Sequence, residues 1–122
     1  MKTVLLVDDS ATILLSMSAL LSKGGLKVET ANGGQAALSK LQGMKPDLLI
    51  TDLNMPGMTG IELIRAVRQL PGYKFIPILV LTTESQQAKR DEAKAAGATG
   101  WLVKPVAADK LMQVIKQVVP GA

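Results

Sequence analysis

Neither cysteine nor histidine occurs in this chain, and aromatic residues are nearly missing, with one Trp, one Tyr and one Phe. Without cysteine there is no disulfide framework and no thiolate metal site. Without histidine, imidazole acid–base catalysis, Ser-His-Asp triads and most zinc sites are excluded. Any chemistry must run on carboxylates, hydroxyls, lysines and backbone groups. The scarcity of aromatics leaves the core to Leu, Ile, Val, Met and Ala. Long apolar runs are missing too: none approaches the ~18 residues that span a bilayer. Met1-Lys2-Thr3-Val4 enters a strand-like run directly, without the pattern of a signal peptide. The expectation is a cytoplasmic protein with no membrane insertion.

What is present suits one domain. The chain has 122 residues, 48% of them hydrophobic, enough for a single compact core and too few for two. Lys and Arg total 14 against 10 Asp and Glu, a net charge of +4. The excess is spread along the chain rather than gathered in a stripe, and no helix-turn-helix or aromatic-interleaved basic patch occurs. Direct nucleic-acid binding is therefore not expected.

Apolar patterning alternates strand with helix to the end. Thr3–Asp8, Asp47–Asp52 and Ile76–Thr82 hold continuous apolar runs, as strands buried on both faces do. Leu26–Ala31 alternates apolar with charged residues, the pattern of an edge strand, and Thr99–Val103 makes a short fifth strand. Ile13, Met17, Leu20 and Leu21 repeat at helical spacing, as do Ile64 with Val67, and Leu111, Ile115 and Val118. Gly97 stands where a helix C-cap belongs, and Pro46, Pro77 and Pro105 sit at element edges. The segment Gln86–Ala96 offers only alanines as apolar residues, so a helix there is weakly anchored.

Alternating βα units predict an α/β fold with a parallel sheet covered on both faces. Ligands then bind beyond the C-terminal ends of the strands, where strand order reverses. Asp8 and Asp9 end the first strand, Asp52 the third and Thr82 the fourth, while Lys104 follows the fifth. Three carboxylates, a hydroxyl and an ammonium thus arrive at one edge. Clustered carboxylates repel, and a divalent cation with a nearby lysine relieves them. Mg²⁺ suits an all-oxygen site of this kind. Taken singly, each residue has an ordinary reading: Asp9, for example, could cap the helix starting near Ala11.

The segments Val7-Asp8-Asp9-Ser10, Thr51-Asp52-Leu53-Asn54-Met55-Pro56-Gly57-Met58-Thr59-Gly60, Leu81-Thr82-Thr83-Glu84 and Gly97-Ala98-Thr99-Gly100-Trp101-Leu102-Val103-Lys104-Pro105 resemble two-component receiver domains, in order and spacing. The resemblance implies a doubly wound (βα)5 sheet of flavodoxin-like order 2-1-3-4-5, filling residues 1–122. It also implies that Asp52 is the phosphoacceptor. Asp8, Asp9, an Asp52 oxygen and the backbone carbonyl of Asn54 would hold Mg²⁺. Lys104, aimed by a cis peptide to Pro105, would contact the phosphoryl group, and Thr82 would hydrogen-bond it. Trp101 stands where relatives commonly carry the switching Tyr or Phe, and Thr83 where many carry Ala.

Other readings are weaker. A haloacid-dehalogenase-type phosphatase needs Asp-x-Asp after the first strand, which Asp8-Asp9-Ser10 lacks. A flavodoxin-like cofactor binder needs a hydroxyl-rich phosphate cradle there instead of two acids. Within the receivers, the Asn54 and Glu84 positions resemble stand-alone chemotaxis-type regulators, the favoured reading. The alternative is a receiver cut from a transcriptional or other multidomain regulator. The implied partners are a sensor histidine kinase or its phosphotransfer domain and a downstream protein such as the flagellar motor switch. The output face would be formed by Gln86–Ala96, the fifth strand and Ala107–Val118, carrying Lys89, Arg90, Lys110 and Lys116.

Overall fold

Each continuous apolar run becomes a central strand that serves two cores at once. The computed structural model describes residues 1–122, in the order β1 (Thr3–Val7), α1 (Ala11–Lys23), β2 (Lys27–Ala31), α2 (Gly34–Leu41), β3 (Leu48–Thr51), α3 (Gly60–Gln69), β4 (Ile78–Thr82), α4 (Gln87–Ala96), β5 (Gly100–Val103) and α5 (Ala108–Val118). The strands are all parallel and lie in the order β2-β1-β3-β4-β5, as expected. Because successive strand residues face opposite ways, Leu5, Val7, Leu49, Ile78 and Val80 pack under α2, α3 and α4. Their neighbours Val4, Leu6, Leu48, Ile50, Leu79 and Leu81 pack under α1 and α5, against Leu21, Leu111 and Ile115. β2 lies at one edge with Lys27 exposed, as its alternation indicates.

Element boundaries are tighter than the apolar pattern suggests. Asp8, Asp47 and Asp52 fall just outside β1 and β3. The N–H groups of Asp8 and Asp52 still complete the ladder, donating to the carbonyls of Ala31 (3.2 Å) and Val7 (3.0 Å). Their side chains are released to the edge beyond the strands. Asp47 turns back instead, its Oδ2 accepting from the Thr3 N–H at 2.8 Å.

Helix ends follow local chemistry. Ser10, not Asp9, caps α1, its Oγ accepting from the Ile13 N–H at 3.3 Å, so Asp9 is free for another use. Thr59 and Glu62 form a reciprocal capping box at α3, satisfying two N–H groups left orphaned at the helix start. α4 begins at Gln86 without any side-chain cap and closes at Gly97, whose φ of 118° only glycine adopts without strain. α2 buries only Gly34, Ala37 and Leu41, too faint a stripe to read from the sequence. No helix is long and apolar enough to cross a membrane.

Candidate functional site

The five chemistry-bearing positions converge because strands β1, β3, β4 and β5 deliver them to the same end of the sheet. Carboxylate oxygens of Asp8, Asp9 and Asp52 lie within 4.8 Å of one another. Lys104 Nζ donates to Asp8 Oδ2 at 3.0 Å and lies 3.5 Å from Asp52 Oδ2. The pair is sheltered: the Asp8 side chain is 5% exposed and that of Lys104 18%. Backbone groups aim the acids. The Ser10 N–H donates to Asp8 Oδ1 at 3.0 Å, and the Leu53 N–H to Asp52 Oδ1 at 2.7 Å. Asp9 stays exposed, the most accessible of the three.

Three carboxylates and one ammonium leave the cluster with two formal negative charges in excess. A divalent cation cancels that excess, and the donors are all oxygen, as Mg²⁺ prefers. The residues therefore fit the ion. No hydrogen bond engages the Asn54 carbonyl, which leaves it free as a further ligand.

Thr82 is fully buried, and its Oγ1 accepts only a 3.3 Å bond from the Glu84 N–H. The Lys104 N–H donates to the Thr82 carbonyl at 2.8 Å, tying the lysine loop to β4. The Lys104–Pro105 peptide is cis, as the resemblance implies. Trp101 is opposite Val80, and Val103 opposite Thr82, so Trp101 shares a face with Thr82. It is half-buried against the core under α2, α3 and α4, and its Nε1–H is buried without an acceptor. Such an orphan donor costs free energy relative to a paired one.

Two contributors were given no role by the motifs alone. Gly60 opens α3 so close to the Asp52 loop that a Cβ there would lie 2.9 Å from Leu53 Cα, which bars any larger residue. Its place eight residues after Asp52, next to the capping Thr59, is a usable signal. Arg68 gives none, because its partners are distant in sequence. Its guanidinium donates to the Gly97 carbonyl (2.7 and 3.2 Å) and to the Tyr73 carbonyl (2.9 Å), clamping the end of α4 to α3. Burial draws its pKa below the ordinary value.

The fold and the site together define an α/β switch-point protein with an acidic cluster and a lysine at one edge of its parallel sheet. Residues 4–116 match the family described as the response regulator receiver domain, and the chain belongs to that family. It is 40% identical over 116 residues to the chemotaxis protein CheY of Pseudomonas aeruginosa, 94% of each chain being covered. The solved structure of Vibrio cholerae CheY4 superposes with a TM-score of 0.93 at 49% identity, covering 97% of this chain and 98% of that one. The response regulator TrrA of Thermotoga maritima, solved in complex with Mg²⁺ and BeF, superposes with a TM-score of 0.87 at 32% identity, covering 97% and 99%. CheY is itself a standing example of the 2-1-3-4-5 order with its ligand site at the switch point. Members of the family are phosphoacceptor switches that bind Mg²⁺ at an acidic cluster.

Proposed function

We propose that residues 1–122 form a single response-regulatory domain in which Asp52 accepts a phosphoryl group from a histidine kinase or its phosphotransfer domain. The observation that carries this is Asp52 Oδ2 facing Lys104 Nζ at 3.5 Å beside the Asp8–Asp9 pair. Asp52 Oδ2 attacks phosphorus in line, forming an O–P bond as the donor's N–P bond breaks and the imidazole leaves with its electron pair. Such transfer needs alignment and charge neutralisation more than covalent assistance. Lys104 follows the developing charge as a compact ammonium, and the Thr82 hydroxyl bonds a phosphoryl oxygen once it arrives. Asp8, Asp9, Asp52 and the Asn54 carbonyl would hold Mg²⁺, which when bound neutralises the acids and the phosphoryl oxygens. The same groups assist water in attacking the acyl phosphate, so the signal expires.

The finer reading is a cytoplasmic chemotaxis-type regulator that signals by protein–protein contact, which the likeness to CheY proteins along almost the whole chain supports. Its output face comprises α4, β5 and α5, where Lys89, Arg90, Lys110 and Lys116 are all exposed, and its target would be a protein such as the flagellar motor switch. Transfer from a phosphorylated histidine kinase tests the function: label should pass to the wild type and not to Asp52→Asn. Equal labelling of both would sink it.

A further inference from the structure

Asp8, Thr51 and Thr82 are the only buried polar residues of the chain. Two of them belong to the phosphoryl site, and Thr51 has no part in it. Its strand is otherwise Leu48, Leu49 and Ile50, where valine would fill the same volume without a hydroxyl to satisfy. The hydroxyl has one partner: Thr51 Oγ1 donates to the Asp52 carbonyl at 2.8 Å, and no backbone N–H reaches that carbonyl. Gly60 backs it closely, since a Cβ on Gly60 would overlap the Asp52 carbonyl oxygen.

The Asp52 carbonyl and the Leu53 N–H are two ends of one planar peptide. Holding the first therefore fixes the direction of the second, and the Leu53 N–H grips Asp52 Oδ1 at 2.7 Å. Oδ1 is thereby engaged, and Oδ2 is left facing Lys104. We propose that Thr51 is a positioning residue: its hydroxyl locks the Asp52–Leu53 peptide and so selects Oδ2 as the attacking oxygen. This rests on the reading of Asp52 as phosphoacceptor. With acetyl phosphate as donor, an Oδ2 lone pair forms the O–P bond while the donor's P–O bond breaks, and acetate leaves with the electron pair. Asp52 gives up no proton in this step. Losing the lock leaves the carboxylates and their charge in place but frees the rotation of the nucleophile, and misalignment near 1 Å slows reactions by up to ~10²-fold.

The test compares Thr51→Val, which keeps the shape and loses the hydroxyl, with Thr51→Ser, which keeps the hydroxyl. Asp52 labelling by acetyl phosphate at saturating Mg²⁺ is followed by intact mass, and Mg²⁺ affinity by Trp101 fluorescence. The valine variant should label on the order of tenfold more slowly even with Mg²⁺ saturating, and the serine variant should label at the wild-type rate. Should the valine variant fail to fold, Thr51→Ala against Thr51→Ser carries the same contrast. Equal rates for valine and wild type would overturn the positioning role alone. So would equal slowing of valine and serine, because serine keeps the hydroxyl and should then preserve the rate. A wild type that is not labelled at Asp52 would remove the reading on which the role rests.

Discussion

Helices α3 and α4 are neighbours on the same face of the sheet, yet α3 buries Ile61, Leu63, Ile64 and Val67 while α4 buries Ala93 alone. A fully buried Leu or Ile is worth about 1.5–3 kcal/mol and an alanine much less. Their ends differ as well. α3 starts in a capping box with Gly60 against the Asp52 loop. α4 starts uncapped, and at its far end hangs from the Arg68 clamp on Gly97. α3 is therefore scaffold for the nucleophile, whereas α4 is weakly anchored along its length and clamped at its C-terminal end. A cavity of about 330 Å³ opens between α4 and β5, lined by Arg90, Lys94, Thr99 and Trp101 among others. The difference leaves the proposed output face room to move.

The contrast breaks most readily by truncation. Leu63→Ala should cost ~2–5 kcal/mol in denaturant unfolding, while Ala93→Gly in α4 should cost only about 1 kcal/mol, mainly from helix propensity. Equal losses would mean that α4 is as firmly built in as α3. Arg68→Ala comes next, at roughly 1–3 kcal/mol for the carbonyls it leaves without donors. Its signature should be local, with amide exchange accelerating at the C-terminal end of α4 before α3 responds; uniform acceleration would refute a clamp.

A smaller effect, spectroscopic rather than energetic, concerns the ring beside α4. Adding beryllofluoride, a phosphoryl mimic, to the Mg²⁺-loaded protein should change Trp101 fluorescence beyond the change caused by Mg²⁺. Thr82→Ala should largely remove that second step. An undiminished step would uncouple Thr82 from Trp101.

The least effect belongs to the α3 cap. The Thr59 backbone N–H, followed by its hydroxyl, lowers the Glu62 pKa below the ordinary glutamate value. A group with a depressed folded pKa stabilises above its unfolded value, and that contribution fades as pH falls through the folded value. Stability should therefore decline slightly below pH ~4.5 through this group, and Glu62→Gln should flatten that part of the profile. An unchanged profile would mean that the capping box adds nothing in solution.

Much of this was legible because it is local. Val4–Val7, Leu48–Ile50 and Ile78–Leu81 announce strands buried on both faces, and the acids that follow them mark the sheet edge where a site forms. The alanine-only pattern of α4 likewise foretold weak anchoring. The clamp on α4 was not legible, since an arginine at a helix end says nothing about a glycine carbonyl 29 residues away. The same holds for the Thr51 hydroxyl, which reads as one more strand threonine until the Asp52 carbonyl is seen to lack any other partner. Strand ends also escaped, because apolar pattern does not mark where a ladder stops and a side chain turns away.

The central claim is that Asp52, carried on the α3 side of this contrast, is the group that takes the phosphoryl. Intact-mass analysis after incubation with acetyl phosphate tests it most directly. One added phosphoryl should appear on the wild type only when Mg²⁺ is present, and none on Asp52→Asn. Asp9→Ala should label poorly through weakened Mg²⁺ binding while remaining folded, since it removes a ligand and relieves repulsion among the carboxylates. Labelling of Asp52→Asn at the wild-type level, or labelling indifferent to Mg²⁺, would contradict the account.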